Sequence, residues 1–302
     1  MNQVQVKKAV TLTGHQDCVY ALEEIPQSPV FFSSSGDGMI VQWRLGEEEG
    51  ARVAQMAASV YALCYSPVTG LLFAGHNFEG LHVLDWQARK EVASLKLSAS
   101  AVFDIKISAG RVLVASGDGS VSIVDAENLT VVKRLEAAAQ SARTIAVHPK
   151  AEEMAVGYSD FHIRIFSLDD YSLRKEFRAH ENSVFSLRYS PDGQLLLSGA
   201  RDARLKAWNV AENYLLQQEI AAHLYAINDI RFSPDGKHFV TCSMDKSVKV
   251  WRTDDLMLLK VIDKARHAGH GTSVNKLLWC SYNNQIVSAS DDRSISIWDV
   301  IF

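Results

Sequence analysis

Ser, His and Asp recur together at fixed spacing in this chain, the residue types from which hydrolases assemble a nucleophile, its base and the group that orients the base. Four such sets are present: His15, Ser33, Asp37; His180, Ser198, Asp202; His223, Thr241, Asp245; and His270, Ser288, Asp292. A tryptophan closes each set, at Trp43, Trp208, Trp251 and Trp298, with His 28, the hydroxyl 10 and Asp 6 residues before it. Covalent catalysis needs one exposed, activated hydroxyl beside an oxyanion hole, and it has no part for an indole. Four copies with a constant Trp point instead to a structural unit used repeatedly.

Other groups with chemical potential are weaker candidates. His76, His82, His148, His162, His238 and His267 lack HxxxH or HxH spacing, so no metal site is expected. His82 and His162 read as packing or strand-surface residues. Asp169 with Asp170, and Asp254 with Asp255, suit turns, whereas Asp291 beside Asp292 should project from a loop. Glu47, Glu48 and Glu49 between two glycines read as a solvated turn. Neither a phosphate-binding loop nor a dinucleotide fingerprint nor an EF-hand spacing occurs, and no cofactor is expected.

The elements that must position the repeated sets are themselves repeated. Short apolar strands place their last-but-one residues at Trp43, Leu84, Val124, Phe166, Trp208, Trp251 and Trp298, with gaps of 41, 40, 42, 42, 43 and 47 residues. Residues 180–209 show one unit clearly. Val184, Ser186 and Arg188 alternate with Phe185, Leu187 and Tyr189, the period of a strand. Ser190-Pro191-Asp192-Gly193 is a turn, residues 195–199 a second strand, Arg201-Asp202-Ala203 a tight turn, residues 205–208 a third strand and 214–220 a fourth.

On these residues the chain resembles the WD-repeat (WD40) family over essentially its whole length. The resemblance implies an all-β, seven-bladed β-propeller of four-stranded antiparallel blades, with residues 1–302 as one domain. It also implies that each His, hydroxyl, Asp and Trp set forms a hydrogen-bonded tetrad. At the same offsets from Leu84, Val124 and Phe166 the hydroxyl becomes Ala74, Val114 and Val156, so hydroxyl and indole are lost together. That joint loss suits a buried network, where a stranded polar group costs about 1–3 kcal/mol. Asp118 and Asp160 persist there through backbone turn bonds, and Phe78 stands at the Asp position of blade 2. The last repeat stops after its third strand, so residues 3–12 are expected to complete blade 7 and close the ring.

Composition bounds the function. With 47% hydrophobic and 22% charged residues the chain is ordinary for a globular domain, and no Pro, Gly or Ser run divides it. Its net charge of −4 argues against general nucleic-acid binding. Cys18, Cys64, Cys242 and Cys280 show no CxxC spacing. The first residues lack the apolar core of a signal peptide, and no stretch suits a membrane span, so a cytoplasmic protein, monomeric on its own, is expected.

Members of the resembled family mostly bind peptides or folded partners on the face carrying the loops into each first strand. The resemblance places exposed positions five residues after the tetrad His: Tyr20, Tyr61, Phe103, Arg143, Phe185, Asn228 and Asn275. It places others three residues after it, at Cys18, Ser59, Ala101, Ser141, Ser183, Ala226 and Ser273, and just before the turn Asp, at Gly36, Asn77, Gly117, Ser159, Arg201, Met244 and Asp291. The plain alternative makes the aromatics core residues favoured for strand propensity. Alternation opposes it, because Val19, Val60, Val102 and Val184 claim the opposite face. The expected function is therefore a non-enzymatic scaffold for a protein or peptide, with Arg143 and Arg201 as a candidate grip on a carboxylate or phosphate. Two other readings are an enzyme or small-ligand binder using the central channel, for which this series supplies no acids, and an RNA-associated scaffold using the basic insertion at 264–267.

Overall fold

The computed structural model describes residues 4–302, so Gln3 of the expected closing strand lies outside the described residues. Seven four-stranded antiparallel sheets form the ring of a β-propeller. The innermost strands are Val19–Glu24, Val60–Tyr65, Val102–Ser108, Ala142–Val147, Val184–Tyr189, Ile227–Phe232 and Val274–Trp279. Each packs against the innermost strand of the next blade, and the last returns to the first.

Closure joins the two ends of the chain. Gln5–Leu12 pairs antiparallel with Ile295–Ile301, Gln5 opposite Ile301 and Leu12 opposite Ile295. Blade 7 therefore takes its outermost strand from the N-terminal side, which covers an edge that would otherwise present unpaired N–H and C=O groups.

The strands differ in character because they differ in depth. Second strands such as Val30–Ser35 are buried along their whole length, whereas Leu215–Ala221, an outermost strand, is almost wholly exposed. The core lies between blades, each blade packing one face on its neighbour. Phe31, Val41 and Trp43 of blade 1, for example, meet Leu278, Val287 and Ile297 of blade 7, with Leu12 between them. Adjacent sheets come so close that a Cβ on Gly75 would stand 2.5 Å from Cγ1 of Val102. Glycine there is a packing requirement.

Two local expectations change. The basic segment Lys264–His267 is a single helical turn, because Asp263 caps it by accepting the Arg266 N–H at 2.8 Å and Ala268 ends it at φ 53°. Tyr214 lies outside the fourth strand of blade 5, with φ 57°, and is buried while its hydroxyl meets that of Tyr189 at 2.7 Å.

Candidate functional site

The four tetrads are assembled as one relay each. In blade 5, Trp208 Nε1 donates to Ser198 Oγ at 2.9 Å, Ser198 lies 2.7 Å from His180 Nε2, and His180 Nδ1 lies 3.0 Å from Asp202. A neutral imidazole with its proton on Nδ1 satisfies every member, since Nε2 then accepts the Ser hydroxyl and Nδ1 donates to the carboxylate. Blade 1 repeats this with Trp43, Ser33, His15 and Asp37, blade 6 with Trp251, Thr241, His223 and Asp245, and blade 7 with Trp298, Ser288, His270 and Asp292.

Each Asp also accepts the backbone N–H that follows its His, so the tetrad stitches the loop into the blade to the turn between second and third strands. Burial pushes His15, His180 and His223 below their ordinary pKa despite the facing carboxylates. Burial opposes ionisation of Asp202, yet the hydrogen bonds it accepts from His180 and from the Glu181 and Arg204 N–H groups bring it down to about 2. Ser33, Ser198, Thr241 and Ser288 are 0% exposed. An inaccessible hydroxyl already bonded by an indole is no nucleophile.

Blades 2 to 4 use other devices. Asp118 and Asp160 make the expected turn bonds to Ser120 N and His162 N, but each also holds an arginine, Arg134 at 2.6 Å and Arg164 at 2.8 Å. In blade 2, His76 and His82 meet across a hairpin although their spacing gave no such sign. With Glu79 they form a cluster whose ligand-type atoms lie within 4.8 Å of one another. The hydrogen bonds argue against a cation there. The Ala58 N–H bonds His76 Nε2 at 3.0 Å, which puts the ring proton on Nδ1, the atom that faces the cluster. His82, buried and bonded through Nδ1 to Glu91 at 2.8 Å, leaves Nε2 as the cluster's one imidazole lone pair.

The five-after series converges. Tyr20, Tyr61, Phe103, Arg143, Phe185, Asn228 and Asn275 line one cavity of about 170 Å³ at the end of the central channel. In all seven inner strands this residue is the one skipped in the pairing with the second strand: the register steps from Val19 to Ala21, Val60 to Ala62, Val102 to Asp104, Ala142 to Thr144, Val184 to Ser186, Ile227 to Asp229 and Val274 to Lys276. A β-bulge frees one side chain from the ladder and re-aims it, here toward the channel mouth. The valines before them are wholly buried between blades. The ring is aromatic on one side, with Tyr20 and Tyr61 centroids 4.9 Å apart and Tyr61 and Phe103 6.0 Å apart. Arg143 lies over both Phe103 and Phe185, at 3.9 and 4.9 Å.

The other two series are joined pairwise in every blade. Backbone N–H groups of Gly36, Asn77, Gly117, Ser159, Arg201, Met244 and Asp291 donate to the carbonyls of Cys18, Ser59, Ala101, Ser141, Ser183, Ala226 and Ser273. All three sets therefore share the face bearing the tetrad loops. Asn275 donates to Asp291 at 2.7 Å, and Asn228 to the Val274 carbonyl at 2.8 Å, so these two amides brace the rim.

Some features escaped the sequence reading. Leu224 and Tyr225 are 83% and 63% exposed, beside Met244 at 50%, and their two loops are tied by Ser243 Oγ to the Tyr225 carbonyl at 3.1 Å. They follow the tetrad His directly, where the other three tetrads have Gln16 and Asp17, Glu181 and Asn182, and Gly271 and Thr272. Phe78 is 60% exposed on the same face at φ 80°. Channel acids also exist: Asp104 lines the same cavity as the bulge residues, and with Asp229 and Glu23 it stands among Lys106, Arg188, Arg231 and Lys276.

The WD40 family, described as WD domain, G-beta repeat, matches residues 6–44, 171–209, 215–252 and 263–299, half of the chain. The chain belongs to the WD40 family. The matched segments contain most of each complete tetrad's strands, while blades 2 to 4, which lack complete tetrads, fall largely outside them. A striatin homolog of Dictyostelium discoideum is 24% identical over 66% of this WD40 chain and 21% of its own length. The human serine-threonine kinase receptor-associated protein is 28% identical over 42% of the chain and 36% of its own length. A probable cytosolic iron-sulfur protein assembly protein 1 of Eremothecium gossypii is 34% identical over 37% of the chain. The chain thus spans from about a fifth to about a third of the length of these curated relatives. Among solved structures, the WD40 propeller domain of Doa1 superposes with a TM-score of 0.87 at 20% identity, over 98% of this chain and 97% of that one, a likeness of fold. No helix among the described residues is long and apolar enough to cross a membrane.

Proposed function

We propose that this WD40 propeller is a non-enzymatic scaffold that docks a protein or peptide segment on the tetrad-loop face, at the mouth of the central channel. The carrying observation is the ring of seven bulge residues around one cavity, with Tyr20, Tyr61, Phe103 and Phe185 as aromatic anchors. Half-buried aromatics and arginine at the centre of a concave surface are the types that carry interface energy. Arg201, Met244 and Asp291 stand around the rim, and Leu224, Tyr225 and Phe78 extend the apolar surface outward. A relative named as receptor-associated supports a protein partner.

Its net charge of −4 and the Asp263 carboxylate already engaged by Arg266 weigh against nucleic acid as the ligand. The protein acts in the cytoplasm, needs no cofactor, and is monomeric apart from its partner. The test is affinity capture of a partner by wild type and by the double variant Tyr61→Ala, Phe103→Ala, with melting curves showing both folded. The double variant is expected to lose the partner; unchanged capture by a folded variant sinks the assignment.

A further inference from the structure

The central channel carries a surplus of positive charge in a protein that is acidic overall. Lys106, Arg188, Arg231, Lys276 and Arg143 face Glu23, Asp104 and Asp229 along it. The acids are already committed. Asp104 accepts Lys106 Nζ at 2.6 Å and the Ile145 N–H at 2.8 Å, and Asp229 accepts Arg231 Nε at 3.1 Å and the Leu277 N–H at 3.2 Å. Glu23 accepts the Tyr65 N–H at 3.1 Å.

Two cations at the upper end are left over. Among the described residues Arg143 has neither a carboxylate nor a hydrogen-bond partner, although Phe103 and Phe185 hold its guanidinium at 3.9 and 4.9 Å and enclose it. Lys276, among the described residues, comes no nearer than 4.0 Å to a carboxylate, that of Asp229, and makes no hydrogen bond. Both line the same cavity of about 170 Å³. Rings over the guanidinium cover its faces and leave its in-plane N–H groups as the donors on offer, a fork that matches a planar oxyanion. Arg201 at the rim is close enough to repel Arg143, which a bound anion would relieve. Both cations open onto the cavity, Arg143 half-buried and Lys276 with 20% of its side chain exposed, so their free N–H groups stand within reach of an incoming anion.

We infer that the channel mouth is a receptor for a carboxylate, inserted as an acidic side chain of the docked peptide and held by the Arg143 fork with Lys276 as its second cation. This rests on the peptide-docking reading above. The aromatic ring then grips the residues flanking the acid, and the blade 6 patch of Leu224, Tyr225 and Met244 takes apolar residues farther along the segment.

The test uses the purified full chain and immobilised pools of acetylated pentapeptide amides whose central residue is fixed as Glu, Gln, phosphoserine or Lys. Wild type is expected to retain the Glu pool about tenfold more tightly than the Gln pool, the scale of a charge-assisted hydrogen-bonded pair. Arg143→Met and Lys276→Met each remove that preference, and Arg143→Lys, which keeps the charge but loses the fork, restores part of it. Melting curves check that every variant is folded. Equal retention of Glu and Gln pools by wild type overturns the carboxylate receptor while leaving peptide docking intact. Retention of the phosphoserine pool alone overturns the carboxylate as the source of the anion. Failure to retain any pool overturns both readings.

Discussion

Arg143 lies 3.9 Å from the centroid of Phe103, one blade away, and each owes its place to a bulge in its own inner strand. The contact joins two repeats of the propeller at its axis and uses side chains that regular pairing would have left in the ladder. Both residues belong to blades without a complete tetrad, where Asp118 and Asp160 hold Arg134 and Arg164 instead, while the tetrads of blades 1, 5, 6 and 7 fix the loops on the rest of the same face.

The first prediction concerns that support. Ser198→Ala strands the Trp208 N–H and His180 Nε2 in a fully buried site, and is expected to cost about 2–4 kcal/mol in urea unfolding. A loss under about 0.5 kcal/mol contradicts the relay. The converse change in blade 2, Ala74→Ser, buries a hydroxyl where no indole awaits it and should also destabilise, by about 1–3 kcal/mol.

Acid sensitivity follows from the same groups. His15, His180 and His223 have folded pKa values depressed mainly by burial, so the unfolded chain takes up protons first as pH falls. Their contribution is present above the ordinary histidine value of about 6.5 and is lost below it. Melting temperature should therefore hold steady from about pH 8 to 7 and drop between about pH 6.5 and 5. Asp202, lowered to about 2, keeps its contribution until pH falls through the ordinary carboxylate range toward that value. A flat melting profile from neutral pH to pH 5 would be incompatible with neutral buried imidazoles.

Ring closure gives a third expectation. Removing residues 1–12 takes away the partner strand of Ile295–Ile301 and the Leu12 side chain between blades 7 and 1. The truncated chain should melt lower and self-associate on size exclusion through the uncovered edge. Leu12→Ala is the milder control, expected to cost about 2–5 kcal/mol. Unchanged melting and a monomeric elution for the truncation would refute closure as a source of stability.

Much of this was legible before any coordinates, and the reasons are local. The offsets of His15, Ser33, Asp37 and Trp43 repeat without error in three other blades, so period and turn chemistry disclosed the propeller and its closing strand. The side chains gathered at the mouth followed from the same offsets. Their cause did not: a bulge at Tyr20 or Arg143 inserts one residue without disturbing the apolar pattern, since Val19 and Ala142 on one side and Leu22 and Ile145 on the other stay buried. The approach of His76 to His82 was hidden because it arises from hairpin register, His76 opposite Gly80 and His82 opposite Ala74, which makes the two diagonal neighbours. Leu224 and Tyr225 did carry a signal, an apolar pair at positions that are polar or glycine beside the other tetrads.

That pair supplies a fourth expectation. Leu224→Ser with Tyr225→Ser removes exposed apolar surface and touches no tetrad atom, so melting should shift by less than about 0.5 kcal/mol equivalent while partner capture falls severalfold. Capture equal to wild type would remove the blade 6 patch from the interface.

The central claim is that the tetrad-loop face receives the partner, and photo-crosslinking from its rim tests this most directly. A benzophenone side chain at Tyr225, on that face, is compared with one at Val68, 79% exposed in a turn at the opposite end of the inner strands. The account predicts a covalent adduct with the captured partner from position 225 and none from position 68. Adducts from position 68 alone would place the partner on the other face and contradict it.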